Sequence, residues 1–112
     1  MISLTANVDF GLPYNVSNPA DAVAANRSMA FQFAWYYDPI VFGKYPDEMT
    51  QLITDGRLPT FTPEEAKMVK GSYDFIGMNH YTSYFTNDVP EALDKNWWSD
   101  SRTKTGNTGI DG

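Results

Sequence analysis

Asp74-Phe75-Ile76-Gly77-Met78-Asn79-His80-Tyr81-Thr82 decides how the rest of the chain is read. A short apolar run rich in β-formers follows the Gly71-Ser72 break and ends in polar and aromatic groups, which is the composition of a buried strand. Side chains alternate across a strand. Phe75, Gly77, Asn79 and Tyr81 therefore share one face, and Ile76, Met78 and His80 the other. The second face suits packing under helices. The first changes along its length from Phe and Gly to an amide and a phenol, and ligands of parallel α/β sheets sit at the C-terminal strand ends. The same pattern also suits a turn cap at Asn79 and a core ring at Tyr81, so the spacing alone leaves both readings open.

Upstream, Ile2, Leu4, Ala6 and Val8 alternate with Ser3, Thr5, Asn7 and Asp9, predicting a strand with one apolar face over 2–9. Residues 11–15 read as loop. Asn18-Pro19-Ala20-Asp21 carries a cap, a proline and an acid in the order of a helix start. The helix should run to about Tyr37 and bury a stripe of Ala22, Ala25, Met29, Phe33 and Tyr36, with Ala30 and Trp35 at its edges. Asp38-Pro39 should end it, because the residue before a proline is pushed out of the α region. The aromatic cluster from Phe31 to Tyr37 has helical spacing and reads as core.

Pro46-Asp47-Glu48-Met49 opens a short helix burying Met49, Leu52 and Ile53, and Gly56 stops it. Thr62-Pro63-Glu64-Glu65 has the form of a capping box. Its adjacent glutamates diverge on a helix and cannot flank one bond. This helix should end at Lys70-Gly71. Strand, three helices and strand make a β-α-α-α-β crossover, which implies parallel neighbours and a right-handed connection. Beyond Thr82 Tyr84-Phe85 prolongs the strand. Residues 83–112 then read as a long βα loop or tail, with Trp97-Trp98 in a polar setting and no periodicity from Thr103 to Gly112.

Three ordered motifs resemble glycoside hydrolase family 1, the β-glucosidases and their relatives. Lys70-Gly71-Ser72 with Asp74 to Thr82 is similar to the family's "KGS-DFIG-N-YT" signature. Phe31 to Ile40 with Gly43-Lys44-Tyr45-Pro46 resembles its helix and "DP…G-YP" turn, and Leu58 to Glu65 matches a third segment. The resemblance runs from about Ile2 to Tyr84. It implies an α/β fold, part of a (β/α)8 TIM barrel covering the fifth and sixth strands and their crossover. It also implies part of a retaining β-glycosidase that hydrolyses terminal β-linked sugars by a two-glutamate double displacement, with no cofactor and no metal. The family's acid/base lies in a "T-NEP" motif and its nucleophile in a "TENG" motif, and neither occurs here. The resemblance carries over Tyr81 as the phenol that supports the nucleophile, Asn79 as a residue of the same pocket, and Asn7 and Val8 as aglycone-side positions. The other reading is a catalytically inactive fragment that acts only as a carbohydrate-binding or assembly partner, with Trp97-Trp98 as a stacking platform.

The totals set bounds. With 112 residues the chain makes one domain at most, while a barrel of this type needs about 250. An apolar strand beginning at the second residue reads as an interior segment of such a domain, whose remaining segments would be its partners alongside a β-glycoside or oligosaccharide. Eight basic against fourteen acidic residues give a net charge of −6, which argues against nucleic acid and anionic membrane partners. No apolar run approaches the ~18 residues of a membrane span. No signal peptide pattern opens this span, so the cytoplasm is favoured, and the lack of cysteine does not fix a compartment.

Overall fold

A computed structural model describes residues 1–112. In chain order the elements are β1 Ser3–Asn7, β2 Phe10–Pro13, α1 Pro19–Met29, a π turn Ala30–Ala34, α2 Trp35–Phe42, α3 Asp47–Leu52, α4 Pro63–Val69, β3 Phe75–Asn79, β4 Ser83–Asp88, α5 Trp97–Asp100 and β5 Thr103–Gly106. The two sequence-derived strands pair in parallel with Ser3 opposite Phe75 and Asn7 opposite Asn79. A second sheet has the order β2-β4-β5, parallel between β2 and β4 and antiparallel between β4 and β5. The sheets do not close into a barrel. Leu4, Phe75, Ile76 and Met78 on the β1-β3 pair are all exposed, so the face of Ile76 and Met78 is not packed under helices as the alternation suggested, and neither face of this pair is fully covered. The molecule is a slab of 47 × 32 × 22 Å with a radius of gyration of 15.2 Å, against about 13 Å for a compact chain of this length. No helix is long and apolar enough to cross a membrane.

Local chemistry explains the helix starts. The Asn18 side chain accepts from the Ala20 amide at 3.1 Å, with Pro19 in the first turn. Thr62 and Glu65 form the reciprocal capping box: Thr62 Oγ1 accepts from the Glu65 amide at 3.2 Å, and Glu65 Oε2 accepts from the Thr62 amide at 2.8 Å. Two otherwise orphaned donors are satisfied this way, so Glu65 is structural. Gly71, at φ 78, follows α4 and donates to the Ile40 carbonyl at 2.6 Å. That bond places the end of α2 beside the start of β3.

Several expectations give way. The long helix does not stop at Asp38-Pro39. It passes through a π turn and continues to Phe42, where Gly43 at φ 79 donates back to the Pro39 carbonyl. The proline penalty is local, and both Tyr37 and Pro39 are buried there, so packing outweighs it. The buried stripe is also shifted. Asp21, Ala24, Ala25 and Ser28 face inward on α1, followed by Ala30, Phe31 and Tyr37, while Tyr36 is exposed and Ala22, Met29 and Phe33 are half-buried. Two polar residues enter this face because each is satisfied. Asp21 accepts from the amides of Asn15 and Asp88, and Ser28 donates to the Ala25 carbonyl at 2.7 Å. The α1 helix comes close to β2 at Gly11. A Cβ there would stand 2.5 Å from Ser28 Oγ and 2.9 Å from the Ala25 carbonyl.

Residues 11–13, part of the segment read as loop, lie in β2, and the segment 83–112 contains β4, α5 and β5. Their strands arise from backbone partners far away in sequence, which alternation cannot reveal. The apolar centre gathers Ala30, Phe31 and Met49, with Trp35, Leu52, Ile53, Leu58 and Trp97 packed against them. Charged links hold the C-terminal segment to it. Arg57 makes a bidentate pair with buried Asp100 at 2.7 and 2.9 Å. Arg27 donates to Asp88 and to the Ser101 and Arg102 carbonyls.

Candidate functional site

The C-terminal ends of β1 and β3 bring two side-chain amides together. Asn79 Nδ2 donates to Asn7 Oδ1 at 3.1 Å, between residues directly opposite in the register. Opposite residues of neighbouring strands project from the same face, which explains the pairing. Asn7 and Asn79 are both exposed, and the bond leaves one donor group on Asn7 and one acceptor on Asn79 for a ligand.

Past this pair the ladder changes. The Val8 amide donates to the Asn79 carbonyl at 2.9 Å and the Phe10 amide to the Thr82 carbonyl at 3.1 Å. Pairing then resumes with Phe10 opposite Ser83. Two residues, Val8 and Asp9, thus oppose three, His80 to Thr82, which is a one-residue offset of the kind a β-bulge makes. Tyr81 is the middle of the three. It is 78% exposed and lies outside β3, so strict alternation from Asn79 does not set its direction. Val8 is only 2% exposed and presents its backbone here. Its carbonyl faces His80 Nδ1 at 2.9 Å. Since a carbonyl only accepts, that nitrogen carries the proton, and His80 acts as a clip across the offset.

Behind the pair lies a contact that the sequence did not announce. The Tyr37 hydroxyl accepts from the Ala6 amide of β1 at 3.0 Å and donates to the Gly77 carbonyl of β3 at 2.5 Å. Its ring, 2% exposed, stacks on Phe33 with centroids 4.4 Å apart. A buried phenol usually finds a partner for its hydroxyl, and here it finds one on each strand. Reading the aromatic cluster as core is right for Phe31 and Tyr37, yet helical spacing carried no sign of this bridge.

The arrangement offers neutral hydrogen-bonding groups: two amides and a phenol. It brings together no pair of carboxyl groups that could serve as acid and nucleophile. Glu64 and Glu65 sit at the start of α4, and Asp74 accepts from the Ile2 amide at the opposite end of the strands. Asp38 is held back from ionising. Burial raises its pKa above 3.8, with Glu48 and Asp47 adding to the rise and Lys44 opposing it. It too lies on the helical side, near a cleft of about 370 Å³ between Lys44, Tyr45, Asp47, Phe61 and Thr62. The Gly71–Ile40 bond puts that region at the N-terminal ends of the strands, away from Asn7 and Asn79.

Comparison with known proteins adds a family and a scale. The family described as "Glycosyl hydrolase family 1" matches residues 1–108. "Beta-glucosidase 16" of Arabidopsis thaliana is 52% identical over 93 residues, covering 83% of this chain and 18% of that protein. "Oleuropein beta-glucosidase" of Olea europaea is 41% identical over 105 residues, covering 93% of this chain and 19% of that protein. Among solved structures, a rice beta-glucosidase mutant in a covalent complex with Glc superposes with a TM-score of 0.90 at 34% identity, over 96% of this chain and 23% of that one. Beta-glucosidase 2 of the fungus Trichoderma reesei gives 0.85 at 41% identity, again over 96% and 23%. The chain thus spans about a fifth of the length of these curated relatives.

Proposed function

Since the chain belongs to glycosyl hydrolase family 1, we propose that it forms one wall of the sugar pocket of a retaining β-glycosidase, the part lying between the two catalytic glutamates. The observation that carries this reading is the Asn7–Asn79 amide pair at the C-terminal ends of neighbouring parallel strands, with exposed Tyr81 in the offset beside it. Those strand ends are where barrels of this kind keep their chemistry. In the double displacement a carboxylate attacks the anomeric carbon while a carboxylic acid protonates the departing oxygen. Water then releases the sugar from the ester. The rice relative's covalent complex with Glc is of the type such a mechanism passes through, and this supports the assignment.

In this reading Tyr81 donates its phenolic hydrogen to the nucleophile. The bond favours the ionised carboxylate and fixes its direction. Asn79, steadied by Asn7, hydrogen-bonds within the same pocket, and Val8 shapes the aglycone side by holding the backbone that carries Asn7. The substrate class is a β-glycoside or β-linked oligosaccharide, and the remaining barrel segments supply both glutamates.

The test is kcat/KM against pH for a complete family 1 enzyme containing this segment and for its Tyr81→Phe variant. Losing one charge-assisted hydrogen bond of about 1.5–3 kcal/mol should raise the nucleophile's pKa and narrow the acid limb. It should also lower the maximum by roughly ten- to a hundredfold. An unchanged limb and maximum would remove Tyr81 from the mechanism. The 112-residue chain alone should hydrolyse an aryl β-glucoside no faster than buffer, because it contains neither catalytic motif.

A further inference from the structure

An open cleft of about 90 Å³ runs between the helical layer and the edge of the second sheet. Ser28 and Gln32 reach it from α1 and the π turn, Trp97 and Trp98 from α5, and Thr103 and Thr105 from β5. The two indoles differ in role. Trp97 is committed to the fold: its N–H donates to the Phe31 carbonyl at 3.2 Å, and its ring stacks at 6.3 Å from Trp35. Trp98 meets Trp97 edge-on, with centroids 4.1 Å apart at 72°, and is 74% exposed. Its backbone is fixed by the Asn96 cap, whose Oδ1 accepts from the Trp98 amide at 3.0 Å. An indole that could bury its large apolar area is instead held out toward water on a rigid support, against the usual gain from burial.

The rest of the lining narrows the ligand class. No charged side chain lines the cleft, so it offers no ion pair to a charged ligand. Thr103 shares a hydrogen bond with Ser101 at 2.8 Å, whereas the Gln32 amide and the Thr105 hydroxyl have no protein partner. The π turn, a helical insertion frequent at functional sites, carries Gln32 into this position. A flat indole face beside free amide and hydroxyl groups, with no charge, complements a molecule that has one C–H face and a rim of neutral hydroxyls.

We infer that this cleft binds a pyranose ring of a neutral saccharide, stacked on Trp98 and hydrogen-bonded through Gln32 and Thr105. The inference shares only a ligand class with the proposed function and involves none of the residues at the strand ends.

The test titrates cellobiose into the 112-residue chain and follows indole fluorescence and the indole N–H resonances. Saturable binding should appear, with Trp98 perturbed. Trp98→Ala should weaken it by about tenfold or more, as loss of an aromatic anchor does. Trp98→Phe should restore part of the affinity, and Gln32→Leu should weaken it by roughly threefold or more, as loss of a ligand hydrogen bond does. Because Trp98 and Gln32 contribute to the surface, circular dichroism of these variants should match the parent. Absence of saturable binding up to the solubility limit of cellobiose overturns the inference, as does unchanged affinity in Trp98→Ala. If Asn79→Ala abolishes binding while Trp98→Ala does not, the sugar belongs to the strand ends. The cleft is then excluded and the proposed pocket wall stands.

Discussion

Asn7 and Asn79 are 72 residues apart in sequence, yet their side-chain amides meet at 3.1 Å across a parallel strand pair. The contact requires β1 and β3 to be in one particular register. A double-mutant cycle with Asn7→Ala and Asn79→Ala, read by urea denaturation, should therefore give a coupling energy. The bond is exposed, so about 0.5 kcal/mol, the low end for a neutral hydrogen bond, is expected. Strictly additive single substitutions would mean that the two amides do not hold each other.

Tyr37→Phe keeps the stacked ring and removes the hydroxyl that links Ala6 to Gly77. The variant should lose about 1–3 kcal/mol, the cost of leaving buried polar groups unpaired. Amide exchange at Ala6 should quicken more than at Leu12 in β2. Tyr37→Ala also empties ring volume and should cost about 3–5 kcal/mol. A Tyr37→Phe variant as stable as its parent would show that the strands close the bond directly once the phenol is gone.

Gly11→Ala pushes a methyl into the Ser28 hydroxyl and the Ala25 carbonyl. Overpacking of this kind typically costs about 1–3 kcal/mol. Adding Ser28→Ala relieves the nearer clash and should recover part of the loss, while the backbone carbonyl preserves the remainder. Thermal melts of the parent, Gly11→Ala and the double variant would check this ordering.

The raised pKa of Asp38 makes stability depend on pH in a definite direction. Burial and the neighbouring acids disfavour the charged carboxylate in the folded state. Below its ordinary value of 3.8 both folded and unfolded chains are protonated, and the residue costs nothing. As pH rises through the elevated folded-state value the cost appears, and above it the cost is complete. Asp38→Asn should therefore be more stable than the parent at neutral pH and should lose that advantage in acid. Equal stability across the range, measured by denaturant midpoints, would contradict the shift.

What could be read from the sequence was mainly what short-range chemistry determines. The Asn18 cap, the Thr62–Glu65 box and the alternation of residues 2–8 and 75–79 each depend on neighbours within a few positions. The parallel pairing followed from the length of the crossover. The α1 stripe was misread because its buried positions include Asp21 and Ser28, which an apolar count passes over. Both are tolerated through partners at Asn15, Asp88 and Ala25. Strand β4 was read only as a prolongation of the preceding strand at Tyr84-Phe85, and β5 was not expected, because β4 needs β2, some seventy residues upstream, and β5 needs β4. Within the candidate site, Asn7 and Asn79 could be placed by alternation, but the offset at His80–Thr82 and the Tyr37 bridge are properties of the assembled chain.

The mismatch of two residues against three between the strand pairs works like a vernier. Below it the partners are Asn7 and Asn79, and above it Phe10 and Ser83. Parallel strands that slip by one position exchange one set of hydrogen bonds for another, which makes a misaligned ladder a plausible trap. Here a slip of β1 that suited the upper spacing would put Asn7 out of step with Asn79, and the reverse slip would unpair Phe10 from Ser83. No single displacement satisfies both scales except the native one. The irregularity beside Tyr81 therefore removes competing alignments from the folding landscape, and a deletion of one residue within 80–82 would bring them back.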